Sequence, residues 1–223
     1  MENNITQPNL SLYHIVRESS INSEKAPLVI LLHGYGSDEN DLFSFSSELP
    51  EELFIISVRA PYPLDPFGNA WYAINFDSDQ NKWSNNEQAA ESRELISNFI
   101  DEAIENYPVQ SNSVTLLGFS QGTILAYAVA LNYPEKVKNV IALSGYINSD
   151  ILPDQADIFS YKHLDFYCSH GTEDQVIPVE WGRKAQPFLN SLNISNKYSE
   201  FPVGHGVSPQ NFFELREWLK KRM

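Results

Sequence analysis

Gly118-Phe119-Ser120-Gln121-Gly122 sets a serine between two glycines at the spacing Gly-x-Ser-x-Gly. A serine hydroxyl is a poor nucleophile until a base takes its proton and an acid fixes that base's tautomer. The chemistry this spacing could support is therefore acyl transfer, provided a histidine and a carboxylate arrive from elsewhere in the chain. The local context suits it: the apolar run from Val114 to Leu117 stops at Gly118, and a helix-compatible run from Thr123 to Leu131 follows at once. That order of strand, tight turn and helix is what a nucleophile elbow requires. Glycine at both flanks lets the strand and helix backbones approach where a Cβ would collide. The turn lifts the serine to a helix N-terminus, where unpaired N–H groups and the helix dipole favour developing negative charge. The bland alternative is a glycine-bounded turn with an idle serine, and the partner residues decide between them.

In sites of this kind the acid follows the serine in the chain and the histidine comes last. Downstream of Ser120 lie two polar loops, each after an expected strand: His170-Gly171-Thr172-Glu173-Asp174-Gln175-Val176-Ile177-Pro178 and Val203-Gly204-His205-Gly206-Val207-Ser208. Asp174 is the candidate acid, with Glu173 its near alternative; the bland role for Asp174 is a solvated carboxylate ahead of a helix expected over 179–193. Asp150, Asp154 and Asp157 follow a different strand and are expected at the surface. His205 is the candidate base, between two glycines and before a capped helix. His14 falls in an edge strand, His163 in a connector, and His170 at a strand end where it can bond within its own loop. His33 is expected to shape a backbone turn. An oxyanion needs two donors: the N–H of Gln121, next after the serine, and that of Tyr35 in Gly34-Tyr35-Gly36. The Tyr35 ring could line the pocket or shield the loop.

The elements that must position these residues alternate along the chain. Leu12 to Arg17 reads as an edge strand, and Leu28 to Leu32 and Phe54 to Val58 as strands buried on both faces. Tyr62 to Trp83 is a proline- and aromatic-rich loop. Its Trp71 and Tyr72 are candidates for pocket wall, or for a local mini-core that pins the loop. Ser84 to Glu87 has capping-box spacing for a helix reaching about Asn106, where Leu95, Ile96, Phe99, Ile100, Ala103 and Ile104 follow the helical period. After the elbow, Val137 to Leu143, Leu164 to Ser169 and Lys197 to Phe201 read as strands. Ser208-Pro209 caps a last helix that turns Phe212, Phe213, Leu215, Trp218 and Leu219 inward. This alternation predicts one α/β domain over 1–223, with a mostly parallel, doubly wound sheet flanked by helices. Ligands of such sheets bind beyond the carboxyl ends of the strands, where Ser120, Asp174 and His205 all fall.

Leu32-His33-Gly34-Tyr35-Gly36-Ser37-Asp38-Glu39-Asn40-Asp41-Leu42, Arg59-Ala60-Pro61, the serine motif, the 170–178 loop and Gly204-His205-Gly206 together resemble the carboxylesterase/lysophospholipase/acyl-protein thioesterase family of α/β-hydrolases. Ala60-Pro61-Tyr62-Pro63 and Ala70-Trp71-Tyr72 resemble its bacterial-type members. The matches run colinearly from about Leu28 to His205. The resemblance selects Asp174 over Glu173. It implies a Ser120–His205–Asp174 triad that uses no metal or cofactor and acts on carboxylic esters or thioesters. The connection from Gly145 to His163 is too short for a large lid, so an open site and short to medium acyl chains are expected. A thioesterase or lysophospholipase would use the same machinery. A non-catalytic ligand-binding module would show a broken triad.

Composition bounds the rest. With 223 residues, 42% hydrophobic and 20% charged, the chain is globular rather than disordered. A net charge of −14 argues against nucleic acid or an anionic membrane as partner. The single cysteine, Cys168, excludes an internal disulfide. Met1 to Ser11 is polar and shows no signal peptide, and no apolar run reaches membrane-spanning length. The expectation is a cytoplasmic protein, monomer or homodimer, that takes a small-molecule ester or thioester.

Overall fold

Side chains alternate across a strand, so a run that is apolar at every position has two faces to bury. In the computed structural model, which describes residues 8–20, 24–76, 82–155 and 158–223, the central strands follow that rule. Leu28, Ile30 and Leu32 join one core with Phe99, Ile100, Leu125 and Val129, while Val29 and Leu31 join another with Leu42, Leu215 and Trp218.

In chain order the elements are β1 (His14–Arg17), β2 (Ala26–Leu32), α1 (Asn40–Phe43), β3 (Phe54–Val58), β4 (Tyr62–Pro63), β5 (Asn69–Ala70), β6 (Ile74–Phe76), β7 (Lys82–Ser84) and α2 (Asn86–Asn106). They continue with β8 (Val109–Phe119), α3 (Gln121–Asn132), β9 (Asn139–Leu143), β10 (Asp165–Gly171), α4 (Val179–Gly182), α5 (Ala185–Ser191), β11 (Ser195–Phe201) and α6 (Pro209–Lys220). The main sheet has seven strands in the order β1-β3-β2-β8-β9-β10-β11. All neighbours are parallel except the edge pair β1–β3. The carboxyl ends of β2, β8, β10 and β11 therefore share one edge, and the loops bearing Tyr35, Ser120, Asp174 and His205 leave from it.

Several boundaries differ from expectation for physical reasons. Strand β8 begins at Val109, earlier than the apolar run, because its polar start still pairs with β2 across a register shift between Ala26 and Leu28. Ser84 belongs to hairpin β6–β7, so the α2 cap moves one residue on, and the Asn85 side chain accepts from the Gln88 N–H. The helix expected over 179–193 is two short ones. Pro187 cannot donate to the carbonyl of Arg183 and its ring clashes there, so the turns do not run on. Phe213 is exposed rather than inward, one position off the buried stripe Phe212, Leu215 and Leu219. The segment from Tyr62 onward holds two hairpins, β4–β5 and β6–β7. Residues 1–7 of the N-terminal stretch, residues 77–81 of the aromatic segment, and Asp157 lie outside the described residues. Among the described residues, no helix is long and apolar enough to cross a membrane.

Candidate active site

The elbow is fixed by backbone crowding. A Cβ at Gly122 would lie 2.0 Å from the Leu32 carbonyl oxygen, and one at Gly118 would lie 2.5 Å from the Gly122 carbonyl oxygen. Between them Ser120 takes φ 53° and ψ −114°, a strained conformation for a residue with a side chain. Its N–H donates to the Leu143 carbonyl at 2.9 Å, which ties the turn to the end of β9. The Ser120 side chain faces a cavity. Gln121 opens α3, so its N–H has no acceptor within the helix.

Two loops bring partners to that serine. His205 Nε2 lies 2.9 Å from Ser120 Oγ, and His205 Nδ1 lies 2.7 Å from Asp174 Oδ2. The carboxylate can only accept, so Nδ1–H donates to it and Nε2 is left to accept from the serine hydroxyl. The Asp174 side chain is wholly buried. Its Oδ1 accepts from the N–H groups of Val176 and Ile177 at 2.8 and 2.9 Å. Burial pushes this carboxyl up, but the hydrogen bonds from His205, Ile177 and Val176 outweigh it and hold the group below the usual carboxylate range. Glu173 is exposed. His170 is buried in β10, donates from Nε2 to the Ile177 carbonyl at 2.9 Å, and sits 3.3 Å from Asp174 Oδ2. It packs behind the carboxylate, on the 174–177 turn. His14 and His163 lie elsewhere, bonded to Leu12 and Tyr107 and to Pro134 and Val137.

The loop after β2 passes close beside the serine. A Cβ at Gly34 would be 3.4 Å from Ser120 Cβ, which puts the peptide leading to Tyr35 against the elbow. His33 fixes that loop: Nδ1 donates to the Gly34 carbonyl at 2.7 Å, and Nε2 accepts the Ala60 N–H at 3.0 Å. Burial lowers the His33 pKa, in keeping with a ring that must accept at one nitrogen. Glu39 holds the loop's far end through two bonds from Arg59, at 2.6 and 2.5 Å. The Tyr35 ring both lines the cavity and is exposed.

The cavity encloses about 550 Å³ and has a mixed lining. Ile74, Ile124, Val176, Ile177 and Trp181 supply apolar surface; Ser84, Asn86, Asn148 and Asp150, with the hydroxyls of Tyr72 and Tyr146, supply a polar wall that meets it where Ile74 pairs with Ser84 and Trp181 packs on Tyr146. Tyr72 thus reaches the cavity as expected of a wall residue. Trp71 does not. It is fully buried, donates its indole N–H to the His33 carbonyl at 2.9 Å, and lies under the Gly34 loop. Its larger ring and polar edge found a backbone partner in the second layer instead. The side chain of Gln121, expected to matter only for its backbone, clamps both: Oε1 accepts from the Trp71 N–H and Nε2 donates to the Tyr72 carbonyl, each at 2.8 Å.

Sequence reasoning missed most of the polar wall. The connection from Gly145 to His163 holds, among its described residues, a single-turn helix at Ser149–Ile151 and no large lid. It nevertheless supplies Tyr146, Asn148 and Asp150. Asp154 is exposed as expected, and Asp150 is exposed yet also edges the cavity. The one available signal was position, since this connection follows the carboxyl end of β9 on the working edge.

A model of the phospholipase/carboxylesterase family matches residues 15–223. A probable carboxylesterase SOBER1-like protein of Arabidopsis thaliana is 32% identical over 118 residues, 52% of this chain and 44% of that one, so the chain spans less than half of that relative's length. Acyl-protein thioesterase 1 of Debaryomyces hansenii is 25% identical over 209 residues, covering 86% of this chain and 89% of that protein. The crystal structure of the Bacillus cereus carboxylesterase shares the fold, with a TM-score of 0.82 at 18% identity and 96% of each chain covered. The chain belongs to the phospholipase/carboxylesterase family of α/β-hydrolases.

Proposed function

We propose that the protein is a serine esterase that hydrolyses carboxylic esters of short to medium acyl chains. The observation that carries this reading is the continuous line Ser120 Oγ to His205 Nε2 to Asp174 Oδ2, at 2.9 and 2.7 Å, opening on the cavity. Ser120 Oγ attacks the ester carbonyl while His205 Nε2 takes its proton. The N–H groups of Gln121 and Tyr35 receive the negative charge that develops on the carbonyl oxygen. Collapse breaks the bond to the leaving oxygen, which takes the proton from His205, and leaves the acyl group on Ser120. Water then attacks the acyl-enzyme, giving its proton to His205; the acid departs and the proton returns to Ser120. Asp174 keeps the imidazole in the tautomer that can accept from serine, and its buried negative charge favours the imidazolium formed in each half. No step needs a metal or cofactor, and the site works in a cytoplasmic protein without insertion into a membrane.

The test is hydrolysis of a nitrophenyl ester series from acetate to palmitate by the parent protein and Ser120→Ala. Activity should peak at short or medium chains and fall on the order of 10⁴-fold or more in the variant. A long-chain optimum would move the assignment to lysophospholipids. Because an acyl-protein thioesterase aligns over most of the chain, acyl thioesters of matched chain length form a second arm. No serine-dependent turnover in either arm would leave a binding module.

A further inference from the structure

The polar wall of the cavity has no part in the acyl-transfer steps, yet its groups face one another. The Tyr72 and Tyr146 hydroxyls lie beside Ser84, at the end of β7. Beyond it, Asn148 Nδ2 donates to Asn86 Oδ1 at 3.0 Å, and Asn86 Nδ2 donates to Asp150 Oδ2 at 2.8 Å. The Asn148 side chain in turn accepts the Asp150 N–H at 3.1 Å. Two segments remote in sequence, 72–86 and 146–150, thus place hydroxyls, amides and one carboxylate around the space that Ser120 faces. Burial pushes both tyrosine hydroxyls up, so they remain protonated and able to donate or accept. No lysine or arginine is among the described residues of the cavity, and Asp150 is the one carboxylate.

An alkyl chain laid against this wall would cover hydroxyl and amide groups without replacing the water they bind, which is unfavourable. An anion would meet Asp150 with no cation to answer it. A hydroxyl can both donate and accept, and it satisfies such a surface. Resting on the esterase reading above, we infer that the substrate is a hydroxylated, uncharged ester, whose hydroxyl-bearing part lies against Tyr72, Ser84, Tyr146 and Asn148, and that Asp150 turns away carboxylate- and phosphate-bearing esters. The apolar surface of Ile124, Val176, Ile177 and Trp181 receives the remaining hydrocarbon.

The experiment compares kcat/KM for nitrophenyl hexanoate with its 3-hydroxy and 6-hydroxy derivatives and with the mono-nitrophenyl ester of adipic acid. A second arm places the hydroxyl on the alcohol side, comparing hexyl acetate with 6-hydroxyhexyl acetate by acid release. The expected result is a preference of about tenfold for a hydroxylated ester over its plain partner in one of the arms, a single good hydrogen bond's worth. Ser84→Ala should pull that ratio toward one. The adipate ester should run at least about tenfold below the hexanoate, and Asp150→Asn or added salt should narrow that gap. Plain esters preferred in both arms, or a hydroxyl preference unmoved by Ser84→Ala, would overturn the inference while leaving the esterase reading standing. Loss of Ser120-dependent turnover of the plain hexanoate would instead sink the esterase reading itself. Because each comparison is a ratio within one variant, partial misfolding of that variant does not disturb it.

Discussion

At the elbow, glycine is required at two positions because neighbouring backbone fills the space a Cβ would take. Across the cavity the stretch from Trp71 to Ala73 is held the other way, by side chains reaching for its backbone. Gln121 bonds the Trp71 N–H and the Tyr72 carbonyl. The Ser92 hydroxyl donates to the Trp71 carbonyl, and Gln88 Oε1 accepts the Ala73 N–H at 2.8 Å. The first region is rigid because nothing else fits there. The second is rigid only while its distant partners stay in place. An acyl-transfer site has reason to be built this way, since attack geometry tolerates little error whereas a substrate wall can vary in sequence on the same frame.

The sharpest way to break this comparison is at a glycine. Gly122→Ala drives a Cβ into the Leu32 carbonyl, so strand β2 and helix α3 must part. We expect a loss of about 3 kcal/mol or more, read as a fall in Tm of about 6 °C or more for a chain of this size. Gly206→Ala is the contrast, since nothing lies within 4 Å of its added Cβ, and its thermal scan should move by no more than about 0.5 kcal/mol. Equal effects at the two glycines would refute backbone crowding as the elbow's determinant.

This asymmetry also explains what the sequence made legible. Backbone crowding leaves a mark at fixed spacing, Gly118 and Gly122 around Ser120, next to a strand and a helix with their own periodicities. His205 follows because it sits just past a strand end on the same edge; the same position narrows the acid to Glu173 or Asp174, and the family resemblance chooses Asp174. The Trp71–Ala73 stretch leaves no such mark: side chains of Gln88, Ser92 and Gln121 bond its backbone, and those bonds obey no period. Trp71 and Tyr72 are adjacent and both aromatic, yet one supports the Gly34 loop and the other faces the cavity. Only the fold separates them. The polar wall was hidden for the same reason, because Asp150 reads singly as a surface residue, Asn86 falls inside a capping box, and Asn148 carries no mark of its own.

A gentler cut goes through the clamp joining the two regions. Gln121→Ala leaves the backbone N–H available but strips the buried Trp71 N–H of its acceptor. The expected cost is about 2 kcal/mol, with faster amide exchange at Trp71 and Tyr72 and little change in exchange along β8. Exchange rising equally in both regions would mean that the two are not separately held.

The acid partner is expected to show itself in pH. The Asp174 carboxyl is held below its ordinary value of 3.8 in the folded protein, so the unfolded chain takes up its proton first as pH falls. Its contribution to stability is therefore complete above about 3.8 and is lost as pH drops through the lower folded value. Urea midpoints of the parent and Asp174→Asn should differ by a constant amount from neutral pH down to about 4 and converge below it. A gap that persists unchanged to pH 2 would show that the carboxylate's charge is not what the site stabilises.

The smallest effects should separate the two adjacent aromatics. Trp71→Phe removes the indole donor and leaves the buried His33 carbonyl short of one bond, a loss of about 1 kcal/mol. Since Trp71 has no surface on the cavity, the ranking of ester chain lengths should stay as it was. Tyr72→Phe keeps the packed ring and removes only the hydroxyl beside Ser84 on the cavity, so stability should move by about 1 kcal/mol or less while the ratio between hydroxylated and plain esters changes. If Trp71→Phe reordered the substrates and Tyr72→Phe did not, the wall would be assigned to the wrong ring, and the aromatic segment would be positioned by its cavity face rather than by the bonds behind it.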